Sequence, residues 1–207
     1  MRPDRSTHRY TIVAIILHWV MALGIAVLAV MGWVMVHAKL DPMRLFELYQ
    51  LHKSIGITVL LTAVLRLGWR LAHRPPPLPA SMPLIERTAA AGGHLILYLF
   101  LFALPITGWA LVSSAVLNIP TVLYGVIPWP DLPVLSTLDN KAPVEAILEI
   151  VHAYGAYALI AFVGFHATAA LRHHFIIKDD VLLRMLPALS RSRKPSVKPA
   201  RTEGPFS

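Results

Sequence analysis

No cysteine occurs among the 207 residues. Disulfides, thiolate metal sites, iron–sulfur clusters and thioether-attached haem are therefore excluded. Charge is scarce too: Asp, Glu, Lys and Arg make up 14% of the chain, where a soluble domain carries about a quarter. Acids are scarcer than bases, 11 against 19, for a formal net charge of +8. Such a balance invites a nucleic-acid partner, but the cations here flank apolar runs. In that position they set the orientation of a membrane protein, and no nucleic acid is expected.

What the chain has instead is apolar length: 56% of its residues are hydrophobic. Several runs are long enough to cross a bilayer as helix, so the expected class is an all-α membrane protein, a four-transmembrane-helix bundle in contact with lipid. The first run, Tyr10 to Ala38, is too long for a signal peptide and lacks a small-residue cleavage pattern. A polar connection is expected over His37 to Leu48. The second helix is read from Tyr49 to Leu71, stopped by HRPPPLP (His73 to Pro79). The third is read from Thr88 to Val112 and carries Pro105 inside it. Between Ser113 and Pro143, five prolines break the chain too often for a span. VLNIPTVLYGVIPWP in that stretch is expected to lie flat at the interface, with Tyr124 and Trp129 at headgroup depth. The fourth helix starts near Val144 and ends at Arg172, and a short interfacial segment follows. Residues 1–189 read as one transmembrane domain and 190–207 as a basic, disordered tail. Arg2, Arg5, Arg9, Arg74, Arg87 and the cations from Arg172 onward fall on one side, against Lys39, Arg44, Lys53 and Lys141 on the other. Both termini are thus expected in the cytoplasm, with the chain multi-pass.

The informative stretch is EIVHAYGAYALIAFVGFHATAALR, Glu149 to Arg172. Between its charged ends lie 22 residues without a formal charge, and inside them His152 and His166 stand 14 residues apart. At about 100° and 1.5 Å per residue, both imidazoles share one helix face to within roughly 40° and sit about 21 Å apart along it. Alternate spans run in opposite directions, so His18 of the first helix lies level with His166, and His52 of the second with His152. His94, near the start of the third, is a fifth candidate at the His166 level.

Neutral imidazole is a strong axial ligand for haem iron, and helix bundles hold such cofactors between facing helices. A single membrane histidine is explained by a hydrogen bond to a neighbouring helix. Four in two level-matched pairs point to two b-type haems with both axial positions filled. Zinc is set aside, because its ligands cluster around one point. Arg66 follows His52 by 14 residues, so it shares that face at the opposite depth. It is read as a haem-propionate partner, against the plainer reading of a snorkelling helix-end arginine, which suits Arg70 better. Gly56, Gly155 and Gly164 are placed to let a flat ring approach the backbone or simply to pack helices.

ILHW, LHKSIGI, GGHLILYLFLFALPITGW and VHAYGAYALIAFVGFHATAALRHHFIIKDDVLLRMLP together resemble the bacterial cytochrome b561 family. The resemblance covers nearly the whole chain except the tail, and looks nearest to the family's superoxide oxidase branch. It implies a di-haem protein of the inner (cytoplasmic) membrane, with His18, His52, His152 and His166 as the iron ligands and metal-binding residues. It implies superoxide, or another one-electron donor, on the outer side and ubiquinone as acceptor. His94 and His173 become quinone-site candidates on the same ground. The alternative is a membrane-anchor cytochrome that relays electrons between a partner redox protein and the quinone pool.

Overall fold

The computed structural model describes residues 9–77 and 82–187. Four of its helices are long and apolar enough to cross a membrane, all of them among the described residues. The expected tail over 190–207 lies outside those residues, as do 1–8 of the basic N-terminus.

Helix α1 runs Ile12–His37. It begins where the Thr11 hydroxyl accepts from the amide of Ala14, satisfying one otherwise unpaired helix-end donor. Helix α2 runs Pro42–Ala72, starting seven residues earlier than the sequence reading placed it. Asp41 caps it, accepting from Arg44 N at 3.1 Å, and Pro42 occupies the first turn, where a missing N–H costs nothing. Pro42 and the charges Arg44 and Glu47 made PMRLFEL read as a connection, yet a leading proline and surface charges are compatible with a first helical turn. Helix α3 runs Leu84–Ser113 and passes through Pro105 without ending.

The proline-rich stretch that follows has regular structure of its own. It folds as a hairpin, β1 (Thr121–Leu123) antiparallel to β2 (Ile127–Trp129), with Leu123 opposite Ile127. Tyr124 and Gly125 turn it with φ of 52° and 72°, the left-handed pair that matches strand twist. A single turn, α4 (Pro133–Ser136), leads into α5 (Ala142–Arg172). One π-helical turn (His173–Ile177) and a 3-10 turn (Leu183–Met185) close the described chain.

Helix α1 packs along α2, α2 along α3, and α3 along α5. Helix α5 makes at most marginal contact with α1 and α2. The core, Met21, Val59, Ala63 and Leu101, therefore lies where α1, α2 and α3 meet. Large apolar side chains face outward: Leu23 is 68% exposed, Leu65 64%, Leu95 61% and Phe165 72%. That is the surface of a bundle whose outer solvent is lipid.

Candidate functional site

Two histidine pairs form, one toward each end of the bundle. The ring centres of His18 and His166 are 6.3 Å apart, and so are those of His52 and His152. Each pair joins α5 to a helix against which α5 does not pack, so each spans a gap and not a contact. An imidazole nitrogen lies about 1.2 Å from its ring centre and bonds a metal at about 2.0 Å. Two imidazoles on opposite sides of one ion thus hold their ring centres roughly 6.4 Å apart. Among the described residues, no three His, Asp or Glu converge as a bare ion would require. Paired imidazoles with nothing else between them fit an ion that brings its own equatorial ligands, as haem iron does.

The pair nearer the hairpin is the more fully defined. His52 and His152 line a cleft of about 460 Å³, otherwise walled by apolar side chains such as Ile25, Leu28 and Leu159 and by Gly56. Thr107 donates its hydroxyl hydrogen to Leu104 O at 2.9 Å, so its oxygen is left to accept from His152 Nδ1–H at 3.2 Å. That bond assigns the tautomer and leaves Nε2 with a free lone pair. His52 Nδ1 is buried with no partner, a cost of about 1–3 kcal/mol that packing alone does not explain. Gly108 faces His152 so closely that a Cβ there would stand 3.0 Å from Cε1. Of the glycines singled out in the sequence, Gly56 lines the cleft and Gly155 faces Leu104, while Gly164 has nothing within 4 Å of a Cβ.

Toward the other end, His94 stands 5.5 Å from His166. It belongs to α3, which packs directly on α5, and its spacing is shorter than the axial distance. His94 is therefore beside the His18–His166 gap and not across it. Arg66 donates to Ala14 O at 3.0 Å, one turn along α1 from His18, and lies within electrostatic range of His18, His94 and His166. His173 sits in a row of ionisable groups. Its Nδ1 is 2.6 Å from Asp179 Oδ2 and its Nε2 3.9 Å from Glu86, which also holds Arg172 at 3.1 Å. The two tryptophans near this end serve as ties: Trp19 donates to Met185 O and Trp69 to the Thr11 hydroxyl, each at 2.8 Å.

Thr107, Gly108, Asp179 and Glu86 were not picked out from the sequence. One signal was available: Gly108 follows His94 by 14 residues, the spacing that relates His152 to His166. Both lie on the face that α3 turns to α5.

A membrane-embedded four-helix bundle with paired imidazoles at two levels is the architecture of a membrane cytochrome b. The model of the prokaryotic cytochrome b561 family matches residues 9–188, and the chain belongs to that family. It is similar to cytochrome b561 homolog 2 of Escherichia coli K12, 36% identical over 182 residues, covering 87% of this chain and 93% of that protein. It is similar also to a probable superoxide oxidase, CybB, of Yersinia pestis, 30% identical over 86% of this chain and 96% of the relative. Cytochrome b561 homolog 1 of Escherichia coli K12 is 27% identical over 87% and 98%. Membership makes the chain a haem b-binding, electron-transferring oxidoreductase of the bacterial inner membrane.

Proposed function

We propose that this protein takes single electrons from a donor at the hairpin end, superoxide first among candidates, and delivers them in pairs to ubiquinone at the end bearing the termini. His52 and His152 would hold one haem b, and His18 and His166 a second. The observation that carries the reading is the pair of equal 6.3 Å spacings, each across a gap between helices. When bound, the haems supply one-electron oxidation and reduction at two depths in the membrane.

The side chains orient, screen and move protons. Thr107 sets the His152 ring through Nδ1. The core of Met21, Val59, Ala63 and Leu101 lies between the two histidine levels and keeps water from connecting them. Arg66 offers a fork to a carboxylate near His18. Two superoxide ions each give up one electron and become dioxygen. The quinone gains those two electrons and two protons and becomes quinol. His94 and His173 are assigned to that quinone. With Nδ1–H of His173 donated to Asp179, Nε2 is the atom able to hold a proton in transit from Glu86. The cation tally supports a hairpin end outside and both termini in the cytoplasm.

The test supplies superoxide and ubiquinone to purified, haem-loaded protein and measures quinol. Absence of quinol, with haem reduced normally by dithionite, would refute the donor. At this end Arg44 is paired with Asp41 at 3.2 Å, and Glu47, Asp131, Asp139 and Glu145 stand against the remaining Lys39, Lys53 and Lys141, so no net positive charge is there to draw in an anion. This favours a second reading, a membrane anchor fed by a partner redox protein. Co-purification of a soluble dehydrogenase that reduces the haems would establish it.

A further inference from the structure

Four arginines, Arg9, Arg66, Arg70 and Arg74, line one open cavity at the end of the bundle where α1 begins and α2 ends. Among the described residues, no Asp or Glu lines it. Among the described residues, none of the four is ion-paired. Arginines elsewhere are paired, among them Arg44 with Asp41, Arg172 with Glu86 and Arg184 with Asp180. Arg9 donates to the carbonyls of Leu183 and Leu186, Arg66 to that of Ala14, and Arg70 lies 5.7 Å from the centre of the Tyr98 ring. Arg66, Arg70 and Arg74 follow one another at four-residue steps. Arg66 and Arg70 share α2, where like charges at that spacing repel, and Arg74 lies just past its end at Ala72. Four guanidinium groups around one hollow, with no carboxylate among the described residues that line it, call for an anion.

Its depth identifies the anion's source. The cavity lies between the first turn of α1 (Tyr10, Thr11, Ala14) and the last turns of α2, where apolar spans give way to polar chain. Trp69, Tyr10 and Tyr98 line it, the amphipathic rings that favour headgroup level. Basic pockets between helices at this level fit the phosphates of acidic lipids. The two propionates of a haem between His18 and His166 would have Arg66, bonded to Ala14 O one turn from His18, as their nearest arginine, and could not match all four.

We propose that Arg9, Arg70 and Arg74 bind the phosphate of an acidic glycerophospholipid, whose acyl chains run along the apolar faces of α1 and α2. The site adjoins the His18–His166 pair through Arg66 and does not depend on what donates or accepts electrons.

The test uses the full-length, haem-loaded protein in neutral detergent, with phosphatidylglycerol, phosphatidylcholine or inorganic phosphate added. Lipid retention is read by native mass spectrometry and haem per chain by absorbance. Phosphatidylglycerol should be retained and phosphatidylcholine washed away. Each basic side chain near a lipid surface is worth about a fivefold factor, so Arg70→Gln with Arg74→Gln should weaken phosphatidylglycerol binding by roughly 25-fold. Haem content should be unchanged, because Arg66 and the histidines remain. Arg70→Lys with Arg74→Lys, which keeps the charge, should bind better than the Gln pair; equal loss in both would overturn the proposal. So would equal retention of the two lipids, undiminished binding by the Gln pair, or displacement of the lipid by millimolar phosphate. Loss of haem from the Gln pair would assign these arginines to the cofactor instead.

Discussion

The hydroxyl of Thr107 is the smallest feature with a measurable electronic consequence. By accepting from His152 Nδ1–H it makes the ring a stronger electron donor through Nε2. Thr107→Val removes that acceptor and keeps the volume. A weaker donor stabilises ferric iron less, so the midpoint potential of the haem proposed for His52 and His152 should rise while that of the haem proposed for His18 and His166 stays put, as redox titration by absorbance would read. Ligand removal is the coarser test. His152→Ala and His18→Ala should each lower bound haem from about two per chain to about one. If either leaves haem content unchanged, that pair is misassigned. At Gly108, a valine would drive its side chain into the His152 ring, where even Cβ meets Cε1 at 3.0 Å. It should deplete the same haem without lowering expression in the membrane. In the ionisable row at the other end, Asp179→Asn should slow quinol formation about 100-fold with the haem spectrum unaltered, because only the Nδ1 partner of His173 has changed.

Among the elements, the hairpin is the one whose role differs most from its sequence. Gln50, Ser54 and Thr58 recur every four residues on α2 and so share a face. All three bind the hairpin: Gln50 spans Pro120 O and Val122 N, Ser54 Oγ accepts from Tyr124 N at 2.9 Å, and Thr58 meets the Tyr124 hydroxyl at 2.7 Å. His52, two residues from both Gln50 and Ser54, faces roughly 160° away. The hairpin thus braces the back of α2 and holds His52 inward. Ser54 is 1% exposed, and Ser54→Ala would leave Tyr124 N without a partner at a cost of about 1–3 kcal/mol. Faster proteolysis within 120–130, together with loss of the haem on His52 and His152, is the expected result. None of this was visible in VLNIPTVLYGVIPWP, because prolines and aromatics at an interface and in a hairpin look alike. Partners on a distant helix distinguish the two.

For the molecule as a whole, the orientation rests on the distribution of its cations. A fluorescent protein fused after Ser207 should glow, and alkaline phosphatase fused there should be inactive, if the C-terminus is cytoplasmic. The opposite pair of results would exchange the donor and quinone ends.

The order of four spans and the levels of five histidines followed from composition and from 3.6 residues per turn, both local properties of the chain. That locality is why His152 and His166 were legible as one face before any neighbour was known. Which helices touch and which stand apart is another matter. That α5 packs on α3 while leaving gaps to α1 and α2 depends on side chains far apart in sequence, among them Phe100 against Phe162. Those gaps separate His18 from His94 as partner for His166, enclose the cleft at His52 and gather four arginines around one hollow. Each is a product of packing between segments, which no repeat within a segment encodes.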